Sequence, residues 1–429
     1  MFTAQSEVSN PGISIRCSAG RGSPLDTSNE FRVPIHTEQF AADPHRVYAQ
    51  MREQFGSLVP IWLAPDVPAT LVIGYRTALE ILHDPEHFAA DPRVWQRDIP
   101  RHCPVLPMMQ WRPNALRSTG IEHARYRQAT VAALERVDLH GTHAVVEEIA
   151  LARINGLCGL GRADVLADFA GPLVFDVISA LLGCHPDIGE RAAVGMAMMF
   201  DTIDAAEGNA LLVEALAELV RRKRGRPGED ITSWLLAHPA GLDDEELVHQ
   251  LVTIHAAASE PLTNLIVNTL LLMMTRPDFG GEVADGAVST RDALEHVLFY
   301  DPPIANFCMS YPRQPQLIDD AVWVPAHQPI VISLAACNND PDIVGGDIRH
   351  NASHLALGAG PHMCPAPRLT HLIARDAIDQ FLDALPEIRL AVTPEQLRWR
   401  PGPFHRALEA LPIVFEPVPP LTVPALRGH

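Results

Sequence analysis

Residues 351–371 read NASHLALGAGPHMCPAPRLTH and place a lone cysteine, Cys364, between a glycine-rich turn and the start of a helix. Gly358 and Gly360 allow a tight turn with backbone amides free to point inward, and Pro365 suits the first position of a helix. The positive end of that helix favours the thiolate form of Cys364. These residues alone leave open a nucleophile, a redox thiol, a metal ligand or an ordinary buried cysteine.

Composition narrows the class of protein. The chain has 429 residues and a net charge of −19, which argues against non-specific nucleic-acid binding. Its seven cysteines are scattered and form no C-x-x-C pair, so a disulfide framework or a cysteine-rich zinc site is not expected. No run of the sequence approaches the roughly 18–20 apolar residues that span a bilayer. We therefore expect a soluble, cytoplasmic protein without a membrane anchor.

The chain reads as one domain that is mainly α-helical with a minor β region. Helical patterns dominate from 122 to 300, and strand-like runs occur near VPIWLA, ATLVIGY and AVWVPAHQPIVISLA. Residues 1–35 lack an apolar signal core and are rich in Ser, Gly and Asn, so they read as a flexible tail. We assign 36–420 to the single domain and 421–429 to a C-terminal tail.

The stretch LGAGPHMCPAPRL resembles the haem-thiolate loop of the cytochrome P450 superfamily, whose pattern is F-G-x-G-x-H/R-x-C-x-G-x-x-L-A. Gly358, Gly360, His362, Cys364 and Leu369 fall on matching positions. The sequence departs from the pattern at three positions: Leu357 replaces Phe, Ala366 replaces Gly, and Thr370 replaces Ala.

Further segments, in order from about 40 to 416, are similar to the same family. GIEHARYRQAT resembles the C helix, where a His and an Arg four residues on hold a haem propionate; read alone, this pair is an exposed polar face. The resemblance implies the P450 fold, a triangular-prism helical core with small sheets, and haem b bound through Cys364. The implied haem contacts are Leu357, Gly358, Gly360, His362, His123, Arg127, Ala257, Ala258 and, after a small shift in register, Arg313.

The first departure with consequences lies in DALEHVLFYDPPI, which resembles the K helix. The family has Glu-x-x-Arg there, an ion pair that braces the cysteine loop. His296 and Phe299 stand at those two positions, and the adjacent Glu295 has Leu298 three residues later. The sequence predicts a brace that is missing or rebuilt. A buried ion pair is often replaceable by apolar packing, so this loss need not prevent haem binding.

The second departure concerns proton supply. The family's distal helix reads Ala-Gly-x-Glu/Asp-Thr, and its acid and hydroxyl deliver protons during O–O cleavage. Here AASEPLTN retains the acid as Glu260 but has Pro261 in place of the threonine. Pro261 removes an N–H and predicts an opened or kinked helix. Glu260 and Ser259 are the candidate catalytic residues, with ordered water or a substrate hydroxyl as further proton sources, and a lone His255 is read as structural.

The resemblance also implies a substrate site and an electron donor. Pro261, Ile304, Ala305 and Asn306 are the expected lining of the substrate pocket, beside Ala257 and Ala258. A ferredoxin-type donor is expected on the face around Arg368, His371 and Arg375, and peroxide is an alternative oxidant. The substrate is expected to be a small organic molecule of the kind found in secondary metabolism.

The resemblance thus implies a haem-thiolate oxidoreductase, a monooxygenase-type or oxidative tailoring enzyme with non-standard proton delivery. Two other interpretations compete with it. A non-catalytic family member, acting as a partner or signalling protein, would tolerate both departures. A zinc protein using His354, His362, Cys364 and His371 fits no usual ligand spacing.

Overall fold

The computed structural model describes residues 31–200, 204–276, 279, 289–343, 351–385 and 387–421. Nearly all of the two tails predicted at 1–35 and 421–429 lies outside these residues. Within the first, Val33–Pro34 forms a strand and Ile35 is fully buried. Residues 33–35 therefore belong to the folded domain, although the predicted boundary was residue 36.

Helices make up most of the described chain, as predicted. They are α1 (Glu38–Ala42), α2 (Pro44–Phe55), α3 (Tyr75–His83), α4 (Leu106–Met109), α5 (Gly120–Glu135), α6 (Leu139–Leu157), α7 (Gly171–Leu182), α8 (Pro186–Phe200), α9 (Ala205–Gly225), α10 (Ile231–Ala237), α11 (Asp244–Thr275), α12 (Thr290–Tyr300), α13 (Leu334–Asn338) and α14 (Pro367–Ala384). Helix α14 starts at Pro367 rather than Pro365, and it buries a stripe that includes Leu369, Ile373 and Phe381.

The strands form small sheets at the edge of the helical core. They are β1 (Val33–Pro34), β2 (Leu58–Ala64), β3 (Val67–Val72), β4 (Phe88–Ala89), β5 (Arg162–Asp164), β6 (Asn306–Pro312), β7 (Gln316–Ile318), β8 (Val322–Val324), β9 (Ile330–Ser333), β10 (Arg389–Leu390) and β11 (Pro412–Val414). The largest sheet has the order β1-β2-β3-β9-β6-β4, and β3 pairs in parallel with β9 through Thr70 and Ile330. The predicted strand runs are thus confirmed.

Helix α11 crosses the centre of the molecule as one continuous element with Pro261 inside it. Its apolar pattern resumes after the proline, with Leu265 and Ile266 buried, so packing against the main core holds both halves in one helix. At its start Asp243 and Glu246 form a capping box. The Glu246 carboxylate also accepts hydrogen bonds from Arg125 (2.6 and 2.8 Å) and from the Tyr126 hydroxyl (2.9 Å), both on α5. One side chain therefore caps α11 and ties it to α5.

One helical stretch, Val165–Leu182, is long and apolar enough to cross a membrane by length and composition, with a mean hydropathy of 1.9. Forty-four per cent of its residues are buried inside the protein. Phe169, Leu173 and Val177 lie in the main hydrophobic core, and Phe169 stacks on Phe381 with ring centroids 4.4 Å apart. Its apolar character therefore serves the core of the fold.

Candidate haem-binding site

The Cys364 loop is a compact turn that precedes α14. Gly358 and Gly360 have φ values of +74° and +67°, a backbone region that side chains disfavour. A Cβ on Gly360 would collide with the Leu82 carbonyl oxygen of α3. The Cys364 amide donates to the Leu357 carbonyl (2.7 Å), which closes the turn and fixes the sulfur in front of the helix.

Opposing influences act on the pKa of the Cys364 thiol. The Ala366 N–H, at the N-cap of α14, donates to the sulfur over 3.5 Å. Burial raises the pKa of Cys364, and this outweighs the Ala366 hydrogen bond and the charge of Arg127, which lower it. The predicted contribution of the helix start is thus present, but burial has the larger effect on the thiol as long as no metal is bound. A metal ion changes this balance, because a coordinating thiol is deprotonated outright.

Two histidines and an arginine from distant parts of the sequence meet beside this loop. His123 on α5 packs against His362, with ring centroids 4.2 Å apart. Arg127, one turn after His123, donates to the Met363 carbonyl oxygen (2.6 Å). Burial lowers the pKa of both imidazoles, that of His362 to about 3, and the nearby Arg127 charge acts in the same direction. The structure thus brings His123, Arg127 and His362 together as predicted.

A second guanidinium, this one buried, joins the cluster, and it is not the arginine that the sequence analysis named. Arg117 is 4% exposed, donates to the Met108 carbonyl (2.5 Å) and helps to lower the pKa of His362. Arg313 is exposed just after β6, where its charge acts on Asp91. The choice of Arg313 for the second propionate thus receives no support from its position. The feature of the sequence that could have identified Arg117 was its position, six residues before His123.

The residues present fit a haem. His123 Nε2 is buried with no hydrogen-bond partner among the described residues, which is costly unless a ligand accepts from it. Around it lie three further donors, Arg117, Arg127 and His362, a set suited to two propionates. Together with the Cys364 sulfur, this is the donor set that a haem-thiolate group requires.

The middle of α11 is open on one side. Ala257 is exposed and Ala258 and Pro261 are half-buried, whereas the helix is mostly buried before and after them. The Ser259 hydroxyl lies 3.3 Å from Nδ1 of His255, one turn earlier in the helix, so this hydroxyl already has a hydrogen-bond partner. His255 is 1% exposed and burial lowers its pKa to about 4, in line with the structural role expected of it.

Glu260 is held in a small polar network. Its Oε1 is paired with Arg400 Nη2, from the segment that leads into the C-terminal hairpin, and accepts from Asn264 Nδ2 (3.1 Å). The same amide also donates to the Glu260 carbonyl (3.0 Å). Glu260 therefore carries a positioned carboxylate next to Pro261. Arg400 and Asn264 were missed from sequence, because their contact depends on the hairpin folding back onto α11.

The predicted substrate-lining segment lies against the same hairpin. Ile304 forms an isolated antiparallel bridge with His405, whose Nε2 is buried without a partner among the described residues. Ala305 is 5% exposed and lines a cavity of about 10 Å³ that His405 and Arg400 also border. The side-chain amide of Asn306 accepts a hydrogen bond from the Tyr48 hydroxyl (3.1 Å) and donates one to the Pro403 carbonyl (2.8 Å). Asn306 therefore has a structural task, and its role toward a substrate is not supported by these contacts.

Glu295, the neighbour of the first of the two family Glu-x-x-Arg positions, contacts two histidines. Glu295 Oε2 lies 3.1 Å from His354 Nε2, and Glu295 Oε1 lies 3.1 Å from His371 Nε2. At the two family positions, His296 stacks on Tyr300 (4.5 Å between centroids) and Phe299 packs edge-on against His354 (5.8 Å). Glu295 thus connects α12 to the segment before the loop and to α14. The zinc interpretation of His354 and His371 is not supported, since both ring nitrogens of each histidine already have hydrogen-bond partners.

The face expected to dock an electron donor carries less free charge than the sequence indicates. His371 turns inward to Glu295, and the exposed Arg375 is bonded to Asp376 (2.8 Å). Arg368 is exposed in the first turn of α14, close to Met363, which is 48% exposed. The positive charge of this face is thus concentrated near Arg368.

The chain is similar in sequence and in structure to several known proteins. No family model matches the chain. The cytochrome P450 monooxygenase PikC of Streptomyces venezuelae is 31% identical over 393 residues, which cover 88% of this chain and 92% of PikC. The solved structure of CYP154C4 from Streptomyces sp. W2061 is similar with a TM-score of 0.82 and 27% identity, covering 90% of this chain and 98% of its own. The tirandamycin C-bound P450 monooxygenase TamI is similar with a TM-score of 0.79 and 25% identity, covering 90% and 100% of the two chains.

Proposed function

The chain belongs to the cytochrome P450 family, and on that premise we propose that Cys364 is the axial ligand of its haem and that the bound enzyme oxidises a small organic substrate. The protein is an oxidoreductase with the mainly α P450 fold, and the family binds haem through a cysteine thiolate. The non-catalytic alternative is not favoured, since the relatives are named monooxygenases. The observation that carries the proposal is the Ala366 N–H directed at the Cys364 sulfur within a turn that two positive-φ glycines shape.

The haem, once bound, supplies the oxidative chemistry, and its thiolate ligand favours O–O cleavage. The protein's part on the propionate side is to hold two carboxylates. His123, Arg127 and His362 do this as the resemblance implies, and we assign Arg117 rather than Arg313 to the same task. A propionate also gives the orphaned His123 Nε2 an acceptor.

On the distal side, Glu260 is our choice for proton supply. Its Oε1 is shared by Arg400 and Asn264, so the carboxylate is fixed at the point where Pro261 removes the N–H that the Ala257 carbonyl would accept. A carbonyl without its helical donor and a fixed carboxylate together suit ordered water between them. Ser259 is the weaker candidate, because its hydroxyl is bonded to His255.

The substrate belongs above the exposed face of Ala257, with Ala258, Pro261 and Ile304 as walls. We propose a small organic molecule of secondary metabolism, in keeping with the tirandamycin C-bound neighbour. His405 Nε2 offers one polar contact at the hairpin. A ferredoxin-type donor, docking near Arg368 in a cytoplasmic setting, supplies the electrons in this proposal.

The test begins with the purified protein loaded with haem, reduced and exposed to carbon monoxide. A red-shifted thiolate-type Soret band is expected. A folded protein that takes up no haem, or one without that band, contradicts the assignment of Cys364.

A second experiment addresses Pro261. Substitution of Pro261→Thr restores both the helical N–H and the hydroxyl, so the fraction of reducing equivalents that ends in product should rise. An unchanged coupling ratio would show that a missing hydroxyl is not what limits proton supply.

A further inference from the structure

We propose that Glu295, His354 and His371 together form the brace that fixes the Cys364 loop, and that this brace holds only while His371 is a cation. The inference rests on the proposed function, because it concerns how the proposed iron ligand is kept in place. It assigns a positioning role to three residues that do not touch the haem themselves.

The three side chains come from three separate parts of the fold. Glu295 lies in the middle of α12, His354 precedes the loop, and His371 lies in the second turn of α14. All three are shielded from solvent, with side-chain exposures of 12%, 3% and 25%. One carboxylate therefore fixes the segment before the cysteine and the helix after it. The described residues contain no group of three or more side chains arranged to hold a metal ion, so the contacts are hydrogen bonds.

The hydrogen-bond partners of His354 make it the neutral member. Its Nδ1 accepts the Ala356 N–H (3.2 Å), so this nitrogen carries no proton. Its Nε2 must then be the protonated nitrogen, and it donates to Glu295 Oε2.

The partners of His371 require the opposite state. Its Nδ1 lies 2.8 Å from the Pro367 carbonyl oxygen, and its Nε2 lies 3.1 Å from Glu295 Oε1. Both partners are acceptors, so both ring nitrogens must donate, and only the imidazolium has two N–H groups. The buried carboxylate and His371 thus form an ion pair, with neutral His354 as a third partner.

The brace is connected to the cysteine through the backbone. The Leu355 N–H, next to His354, donates to the Asn338 side chain (2.7 Å), which in turn donates to the Leu298 carbonyl of α12 (3.0 Å). The Leu355 carbonyl accepts the Gly358 N–H (2.7 Å) at the first turn of the loop. A displacement of His354 is therefore transmitted to the turn that holds Cys364.

The direction of the pH dependence follows from two pKa shifts. Burial alone would raise the pKa of Glu295, but the hydrogen bonds from His354 and His371 outweigh it and lower the pKa to about 2. The pKa of His371 is raised, chiefly by its hydrogen bond to Glu295, while Arg291 on α12 acts in the opposite direction. A raised histidine pKa contributes stability that is complete below about pH 6.5 and is lost as the pH rises through the raised value. The arginine of the family brace keeps its charge throughout this range.

The experiment measures how fast the haem-loaded protein loses its thiolate-type carbon monoxide band between pH 6.5 and 9. The loss should be about tenfold faster at pH 9, in the range for loss of one hydrogen bond between charged groups. His371→Gln should decay at pH 6.5 as the native protein does at pH 9, since it has no charge to lose. His371→Arg should be slow at both pH values. His296→Gln, on the same helix as Glu295, is the matched control and should keep the native profile.

The outcomes are distinguishable. A protein that shows no thiolate band at any pH contradicts the proposed function. A native protein with a normal band and equal decay rates at pH 6.5 and 9 contradicts the brace, whether or not any variant folds. A His371→Gln variant with the native pH profile does the same.

Discussion

The two sides of the proposed haem site have departed from the family in different ways. On the cysteine side, Glu295 contacts two histidines where the family pairs a glutamate with an arginine. On the distal side, Pro261 supplies no hydroxyl, and the neighbouring Ser259 is bonded to His255. A brace requires opposite charges at suitable points of three elements, and different residues can provide them. Proton supply requires a titratable proton at one location, so fewer residues can replace those of the family on the distal side.

The largest effect is expected from removing the thiol. Cys364→Ala should abolish the thiolate-type band of the reduced carbon monoxide complex, because no other described cysteine lies in this loop. Absorbance spectra of the haem-loaded protein measure this. Cys184→Ala, which removes a partly buried thiol elsewhere, is the control and should leave the band intact. A persistent thiolate band in Cys364→Ala would overturn the assignment.

The distal side is tested by Glu260→Gln. Product formation should fall about 100-fold, within the range for loss of a general acid or base, while the carbon monoxide spectrum stays the same. Turnover with a ferredoxin system and a panel of small substrates measures the effect. Ser259→Ala is the matched control on the same helix turn and should cost far less. If Ser259→Ala were equally damaging, the choice of Glu260 as the single proton source would be wrong.

The propionate assignment predicts a smaller effect on haem affinity. Arg117→Leu should weaken haem binding about tenfold, since it removes a charge-assisted hydrogen bond of roughly 1.5 kcal/mol. Haem titration of the apoprotein measures this, together with its thermal unfolding, because Arg117 is also bonded to Met108. Arg313→Leu should leave the affinity unchanged. Equal losses in both variants would contradict the exchange of Arg313 for Arg117.

The smallest effect concerns the electron donor. Arg368→Glu should raise the KM for a ferredoxin-type donor about threefold, as expected for one exposed charge at a docking surface. Steady-state reduction at low salt measures it. Arg375→Glu is the control with a smaller effect, because Arg375 is already bonded to Asp376. An unchanged KM in Arg368→Glu would place the docking surface elsewhere.

The Cys364 loop was predictable because its requirements are local. Gly358 and Gly360 occupy positive-φ positions, and the cysteine precedes a helix with an apolar stripe, all of which can be read within twenty residues. His123 and Arg127 were identified through the resemblance to the family's C helix, since their i, i+4 spacing alone is typical of an exposed polar face. The helical core and small sheets follow from periodicity.

The remainder depended on contacts between distant segments. Glu295 and His354 are 59 residues apart, and Glu260 and Arg400 are 140 residues apart, so no local pattern connects them. The effect of burial on the Cys364 thiol was missed for a related reason, because burial depends on what packs around the loop. Sequence reasoning located the missing Glu-x-x-Arg pair but had no means to find the two histidines that now contact Glu295.

The hydrogen bonds between Glu246 and α5 have a consequence for the order in which parts of the protein unfold. The hydrogen bonds from Arg125 lower the pKa of Glu246 to about 2, so this carboxylate and its arginine partner stay charged from mild acid to strong alkali. The brace at His371 does not share that range. As the pH rises we expect α14 and the Cys364 loop to lose their contacts first, while Arg125 and Glu246 still hold α5 against α11. Alkaline inactivation of this enzyme should therefore pass through a partly assembled form that keeps its distal half.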